Sequence, residues 1–295
     1  MILCGIGDEA GNRLESQIEA TRRLGWRHLE ARNLQVDGAP KANLHDLSDA
    51  AFDRAAAMLE AGGISVYCLG STIMNWAKRV TDPFDATLDE VGRALPRMQR
   101  LGTRLVRIMS YKPDDDADRL PPEVIRRVRE VTARFREGGC LAVHENCMNY
   151  GGISPGHAVE LLDAVPDLRW VFDTANPVFN ADRSRPKPWP RQDPWAFWTR
   201  VRDRVAHIHV KDARWNPAKN DADYTWPGEG EGAVRRILED ALRRGYDGGI
   251  SIEPHMVAVF HDTTAPAAQD DMLRDNFVEY GRRLERLLAE LRPGG

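Results

Sequence analysis

Several features are missing or scarce in this 295-residue chain, and each absence removes a class of protein. No apolar stretch approaches the ~20 residues of a membrane-spanning helix. The opening Met1-Ile-Leu-Cys-Gly-Ile-Gly has neither the basic start nor the long apolar run of a secretory signal. Positive charge is not in excess: 41 Lys and Arg face 45 Asp and Glu, a formal net charge of −4. That balance gives no global attraction to nucleic acid or to an anionic membrane. The four cysteines, Cys4, Cys68, Cys140 and Cys147, show no CxxC pairing, and three of them fall in apolar strand-like runs. They read as buried free thiols and fit a reducing cytoplasm. No linker or low-complexity block divides the chain, so residues 1–295 read as one domain.

What is present is a repeating alternation. Short β-rich runs at 2–7, 28–33, 65–71, 104–110, 141–146, 169–173, 206–211 and 249–254 alternate with segments of helical spacing. The final segment is the clearest, with Leu273, Phe277, Tyr280, Leu284, Leu287 and Leu291 stepping by three or four. Ser154-Pro155 and Asp193-Pro194 mark helix starts, a capping residue followed by proline in the first turn. Gly62-Gly63, Gly138-Gly139 and Gly245 mark helix ends. Eight strands in strict alternation with eight helices predict a parallel sheet closed into a (β/α)8 TIM barrel, a fold that commonly takes ~250 residues. Links from helix to strand are short, whereas those from strand to helix at 34–46, 72–83, 177–193, 213–230 and 255–269 are long. In such a barrel these long loops all rise from the C-terminal face, where active sites sit.

Charged residues end the late strands: Glu145, Asp173, His209 and Glu253. They are separated by 28, 36 and 44 residues, each close to one β/α unit with its loop, which puts all four at one level of the barrel mouth. Three carboxylates converging there repel one another unless a cation joins them. One divalent ion resolves the conflict. The oxygen-rich set suits Mn2+ first, then Mg2+ or Co2+, with Zn2+ also compatible. Lys211, two residues beyond His209, falls on the same strand face and is a candidate for substrate oxygen or for an ion pair with a ligand carboxylate. Glu30 and Arg32 are placed to ion-pair inside the barrel, with a substrate role as the alternative; Arg107 is a candidate for the same substrate role, and His255 is a candidate to line the pocket. His28, His45, His157 and His261 read as structural or surface residues. The loop 226–232 is rich in glycine but acidic, a poor phosphate cradle that favours an uncharged polyol or keto-sugar. Trp76, Trp189, Trp215 and Trp226 lie in the long loops, where packing on one another is the first expectation and a wall for a sugar ring the second.

The chain also resembles the xylose-isomerase-like barrels, the sugar phosphate isomerase/epimerase family. The likeness runs through Leu24-Gly-Trp-Arg-His-Leu-Glu-Ala-Arg32, His144-Glu-Asn146, Phe172-Asp-Thr-Ala-Asn176, His207-Ile-His-Val-Lys-Asp212, Gly228-Glu-Gly230 and Ser251-Ile-Glu-Pro-His255. The resemblance implies a metal held by Glu145, Asp173, His209 and Glu253, with His207 turned to the opposite side of its strand. It implies a substrate that chelates the ion through adjacent carbonyl and hydroxyl oxygens. Glu145 or Glu253 then removes a proton to give an ion-stabilised enediolate, and the opposite carboxylate returns one, in an epimerase or isomerase of a small keto-sugar or keto-polyol. Departure of a β-hydroxyl would instead make a dehydratase or lyase acting on an inosose or keto-sugar. Many family epimerases carry histidine where this chain has Asn176, so a hydrogen bond to substrate is the expectation for that residue. The resemblance also implies a homodimer or homotetramer. A nuclease is disfavoured because few of the eight histidines fall near the mouth; a non-catalytic or partner-dependent barrel is the remaining alternative.

Overall fold

Short, largely apolar runs buried on both faces build the wall of the molecule. A computed structural model of the chain describes residues 1–257 and 270–291. The barrel strands are β1 (Ile2–Gly5), β2 (His28–Ala31), β3 (Ser65–Gly70), β4 (Leu105–Ile108), β5 (Leu141–Glu145), β6 (Arg169–Asp173), β7 (Val205–Val210) and β8 (Gly249–Ile252). All neighbours pair in parallel, in the order β1-β8-β7-β6-β5-β4-β3-β2. A single parallel bridge, Ile6 to Glu30, brings the two ends together, so the eight strands form a nearly closed barrel in one domain.

Between the strands run α1 (Leu14–Arg23), α2 (Asp49–Gly62), α3 (Phe84–Leu101), α4 (Pro122–Glu137), α5 (Pro155–Ala164), α6 (Pro194–Val201), α7 (Val234–Arg243) and α8 (Asp270–Leu291). The expected caps are in place. Ser154 accepts the His157 amide and Asp193 accepts the Ala196 amide, which satisfies N–H groups the helix itself leaves open. Gly63 closes α2 with φ 66, a left-handed conformation that glycine adopts without a Cβ clash. On α8, Leu273, Phe277, Tyr280, Leu284 and Leu287 are buried, as their spacing predicts. The helix layer packs on the outward side of the strands: Trp170 and Phe172 of β6 both meet Phe197 of α6. Period-two alternation therefore turns Val171 and Asp173 inward.

Most strands stop a residue or more before the sequence-based limits, because at the mouth the chain leaves the ladder to form loops. Those loops hold structure that apolar periodicity does not reveal. Residues 213–230, read as loop, contain most of an antiparallel hairpin, Asp212–Asn216 with Asp221–Thr225. Asn33–Leu34 pairs with Ala42–Asn43, and a short 3-10 turn spans Gly7–Ala10. The cysteines are free, three of them buried. His45 is buried beside Thr72, and His157 bonds Ser154 and the Asp118 carbonyl, as structural residues do. His28 is half-buried, edge-on to Tyr67. His261 and residues 258–269 lie outside the described residues. Among the described residues no helix is long and apolar enough to cross a membrane.

Candidate metal centre

Glu145 and Asp173 are the last residues of β5 and β6, His209 is the next to last of β7, and Glu253 follows β8 directly. Adjacent parallel strands in register thus raise four side chains to one height, and one ligand atom from each lies within 4.8 Å of the others. All four are buried. His209 Nδ1 stands 3.7 Å from Glu145 Oε1 and 3.8 Å from Glu253 Oε2, yet it makes no hydrogen bond. A buried ring nitrogen without a partner is costly, and a cation among those three atoms removes the cost.

Charge leads to the same conclusion. Six buried carboxylates, Asp8, Glu9, Glu30, Glu145, Asp173 and Glu253, share this end of the barrel with three permanent cations, Arg32, Arg107 and Lys211. Burial, together with Glu253 and Glu145, pushes Asp173 up to about 7 even though Lys211 opposes the rise. Burial would also raise Glu145, but Arg107 and His209 outweigh it and hold that carboxyl at about 2. Burial lowers His209, yet Glu30 and Glu145 lift it to about 10. A divalent ion at the four ligands would supply the positive charge that Asp173 lacks and displace the proton from His209 Nδ1. The donor set, three carboxylates and one imidazole, fits such an ion.

Further side chains hold these four in place. Arg107 donates to Glu145 Oε2 at 2.9 Å and to the Ser71 carbonyl at 3.0 Å. Asn176 donates to Glu145 Oε1 at 3.2 Å. Lys211 Nζ lies 3.0 Å from Asp173 Oδ2 and 3.2 Å from Glu253 Oε2. Asp173 turns its other oxygen to the amides of Ala175 and Asn176. Arg32 reaches Asp8, Glu9 and Glu253, at 2.8, 2.9 and 2.9 Å. His255 has φ 53, a left-handed conformation unusual for histidine, held by its amide on Glu9 Oε2 at 3.0 Å. Its ring lies 2.9 Å from Glu9 Oε1.

Two sequence-based expectations need correction. His207 does not face away from His209: its Nε2 lies 2.8 Å from Glu30 Oε2 inside the barrel, and His209 Nε2 lies 3.0 Å from the same oxygen. Residues two apart on a strand share a face, so 207, 209 and 211 all point inward. Nor do the loop tryptophans pack on one another; no Trp–Trp pair joins them among the described residues. Arg183 and Lys187 cover Trp189, Arg191 covers Trp215, and Arg283 covers Trp226. Trp76 is 40% exposed. Glu30 and Arg32 do form ion pairs inside the barrel, though with the separate partners just given.

Above the ligands opens a cavity of about 340 Å³, within the range that small ligands occupy. Its floor is Glu145, Lys211 and Glu253, with Asn176, Arg107 and His255 beside them. Trp76, Met148, Phe179 and Tyr224 also line the cavity; of these the sequence singles out only Trp76, with a wall for a sugar ring as its second expectation. The glycine-rich loop is an anion cradle after all, and the anion is the chain's own: the amides of Gly228, Gly230 and Gly232 all donate to Asp212, at 2.9 Å each. A Cβ at Gly230 would lie 2.3 Å from Asp212 Oδ1, so the close approach requires glycine. Its amides are therefore not free for a phosphate.

Comparison with known proteins bears on the fold. The profile of a family described as a xylose isomerase-like TIM barrel matches residues 18–275. An inosose dehydratase from Lacticaseibacillus casei is 26% identical over 190 residues, covering 59% of this chain and 54% of that protein. The chain thus spans about half the length of the curated relatives it matches. A xylose isomerase-like TIM barrel protein from Mycobacterium smegmatis, solved in complex with magnesium, superposes with a TM-score of 0.67 at 18% identity, over 98% of this chain and 97% of that one. D-Psicose 3-epimerase from Clostridium cellulolyticum H10, solved with D-tagatose, does so with a TM-score of 0.66 at 16% identity, over 98% and 99%. At these identities the solved structures establish the shared fold.

Proposed function

The chain belongs to the xylose isomerase-like TIM barrel family, and from that premise we propose that it is a divalent-metal-dependent isomerase or epimerase of a small, uncharged keto-sugar or keto-polyol. The observation that carries the reading is the unpartnered His209 Nδ1 between the oxygens of Glu145 and Glu253. Glu145, Asp173, His209 and Glu253 would hold the ion, with Mn2+ the first choice for so oxygen-rich a set. A divalent ion supplies Lewis acidity, polarising a substrate carbonyl and acidifying the neighbouring C–H.

The rest is done by the chain. Glu145, at the end of β5, and Glu253, just past β8, both line the cavity floor, so one would take the proton and the other return one. Lys211, whose ammonium already bridges Asp173 and Glu253, receives negative charge developing on a substrate oxygen. Asn176, Arg107 and His255, beside the floor, orient hydroxyls, and the Trp76 side of the cavity takes C–H faces. Neutral substrate is favoured because Arg107 and Lys211 are committed to carboxylates and the loop amides to Asp212.

A second reading, dehydration of an inosose or keto-sugar, is favoured by the inosose dehydratases among the curated relatives. It shares the first proton removal and differs only in loss of a β-hydroxyl. The test is incubation of Mn2+-loaded protein with a panel of ketoses and inososes in D2O, followed by NMR. Deuterium entering at the carbon next to the carbonyl, with the carbon skeleton and oxygen count intact, supports the isomerase or epimerase. Loss of water supports the dehydratase. Absence of exchange with every member of the panel, from a protein shown to hold metal, overturns both.

A further inference from the structure

Beneath the four ligands, towards the barrel interior, lies a buried polar cluster that no step above uses: Glu30 on β2, His207 on β7 and Ser251 on β8, with Cys4 and Cys68 alongside. Glu30 is fully buried and no lysine or arginine is within ion-pair distance of it among the described residues. Leaving a carboxylate there without a task would be expensive. Its Oε2 is 2.8 Å from His207 Nε2, 2.8 Å from Ser251 Oγ and 3.0 Å from His209 Nε2. His207 is anchored in turn through Nδ1 to the Gly249 carbonyl at 2.9 Å.

We propose that Glu30 is the positioning residue of the metal centre: it holds the proton of His209 on Nε2, so that Nδ1 presents its lone pair to the ion. The inference rests on the four-ligand reading above. A carboxylate oxygen can only accept, so a ring nitrogen 3.0 Å away must carry hydrogen. With Nε2 so engaged, Nδ1 is the nitrogen left for an ion, and it is the one that faces Glu145 and Glu253. His207 and Ser251 fix the carboxylate, and so keep the imidazole of His209 from turning. Glu30 reaches His209 from β2, three strands away around the barrel, so that the bond also ties the start of the sheet to its catalytic end. Outer partners of this kind set ligand tautomer and basicity.

The direct test is the wild-type protein with 15N-labelled histidine and Zn2+, using long-range 1H–15N correlation, with a His209→Gln variant to assign the signal. The expected result is a protonated Nε2 and a metal-shifted Nδ1 at His209; a metal-shifted Nε2 overturns the proposal. The second arm measures Zn2+ and Co2+ affinity of Glu30→Gln, expected to fall by about 10–100-fold with a changed Co2+ visible spectrum. In a His209→Gln background the Glu30 substitution should cost no further affinity. Unchanged affinity in the single variant, or an equal loss in both backgrounds, contradicts action through His209. Should Glu30→Gln fail to fold, the wild-type spectrum decides alone. Wild-type protein that takes up no metal refutes the four-ligand reading itself, and the proposal with it; metal uptake with the wrong ring nitrogen refutes only the proposal.

Discussion

Strands β5 to β8 deliver Glu145, Asp173, His209 and Glu253, whereas the early strands deliver Glu30, Arg32 and Arg107, whose heads bond to those same residues. The late half supplies the four side chains together with one cation of its own, Lys211, and the early half adds Arg32 and Arg107 to neutralise them and Glu30 to aim His209. Neither half would be tolerable alone, since buried ions without partners are strongly destabilising. The site is thus a contact between two halves, closed across the bridge from Ile6 to Glu30.

Substitutions on the two sides should fail differently. Glu145→Gln and Glu253→Gln, in the late half, should each cut proton exchange on the order of 10³-fold while the fold persists; exchange at wild-type rate in either would remove that carboxylate from the chemistry. Arg107→Met, in the early half, leaves Glu145 buried without its cation and should cost about 3–5 kcal/mol of stability. Thermal melts with and without Mn2+ check this, and added ion should restore part of the loss. No change in melting would mean that the arginine holds nothing.

The comparison sharpens with pH. His209, lifted to about 10 by Glu30 and Glu145 against the effect of burial, carries a proton at neutral pH that the ion must displace. Metal affinity should therefore rise with pH, by up to ~10-fold per unit between pH 8 and 9 and more steeply below pH 7, where Asp173, pushed up to about 7, also holds a proton. Calorimetry in buffers of different ionisation heat should record the proton released. A flat profile would show that His209 is already neutral.

A smaller effect tests the loop instead of the ligands. Gly230→Ala drives a Cβ against Asp212 Oδ1 and the Ala213 carbonyl and should destabilise by ~1–3 kcal/mol, leaving metal stoichiometry intact. Loss of metal there would mean that the Asp212 cradle supports the ligands directly.

Much of this was legible in the sequence because barrel geometry converts spacing into position. Glu145, Asp173, His209 and Glu253 each sit one β/α unit apart at a strand end, and strands in register bring such residues together. Lys211 followed from period two. The same rule places His207 inside, against the reading that turned it outward. Asp8 and Glu9 were not legible: they lie in a 3-10 turn that shows no periodicity, and their partner Arg32 is more than twenty residues away. Tyr224 reaches the cavity only because Asp212–Asn216 pairs with Asp221–Thr225, a contact between segments with no apolar alternation. Glu30 appeared in the sequence as an inward charge, but its bonds to His207 and His209 span 177 and 179 residues. Pairings of that range depend on closure of the whole sheet.

The four-ligand centre is tested most directly by elemental mass spectrometry of the purified protein beside Asp173→Ala. About one Mn, Mg, Co or Zn per chain in the wild type, lost in the variant, is the expected result. Wild-type protein that holds no divalent ion even after reconstitution, or a variant that holds as much as wild type, would contradict the site.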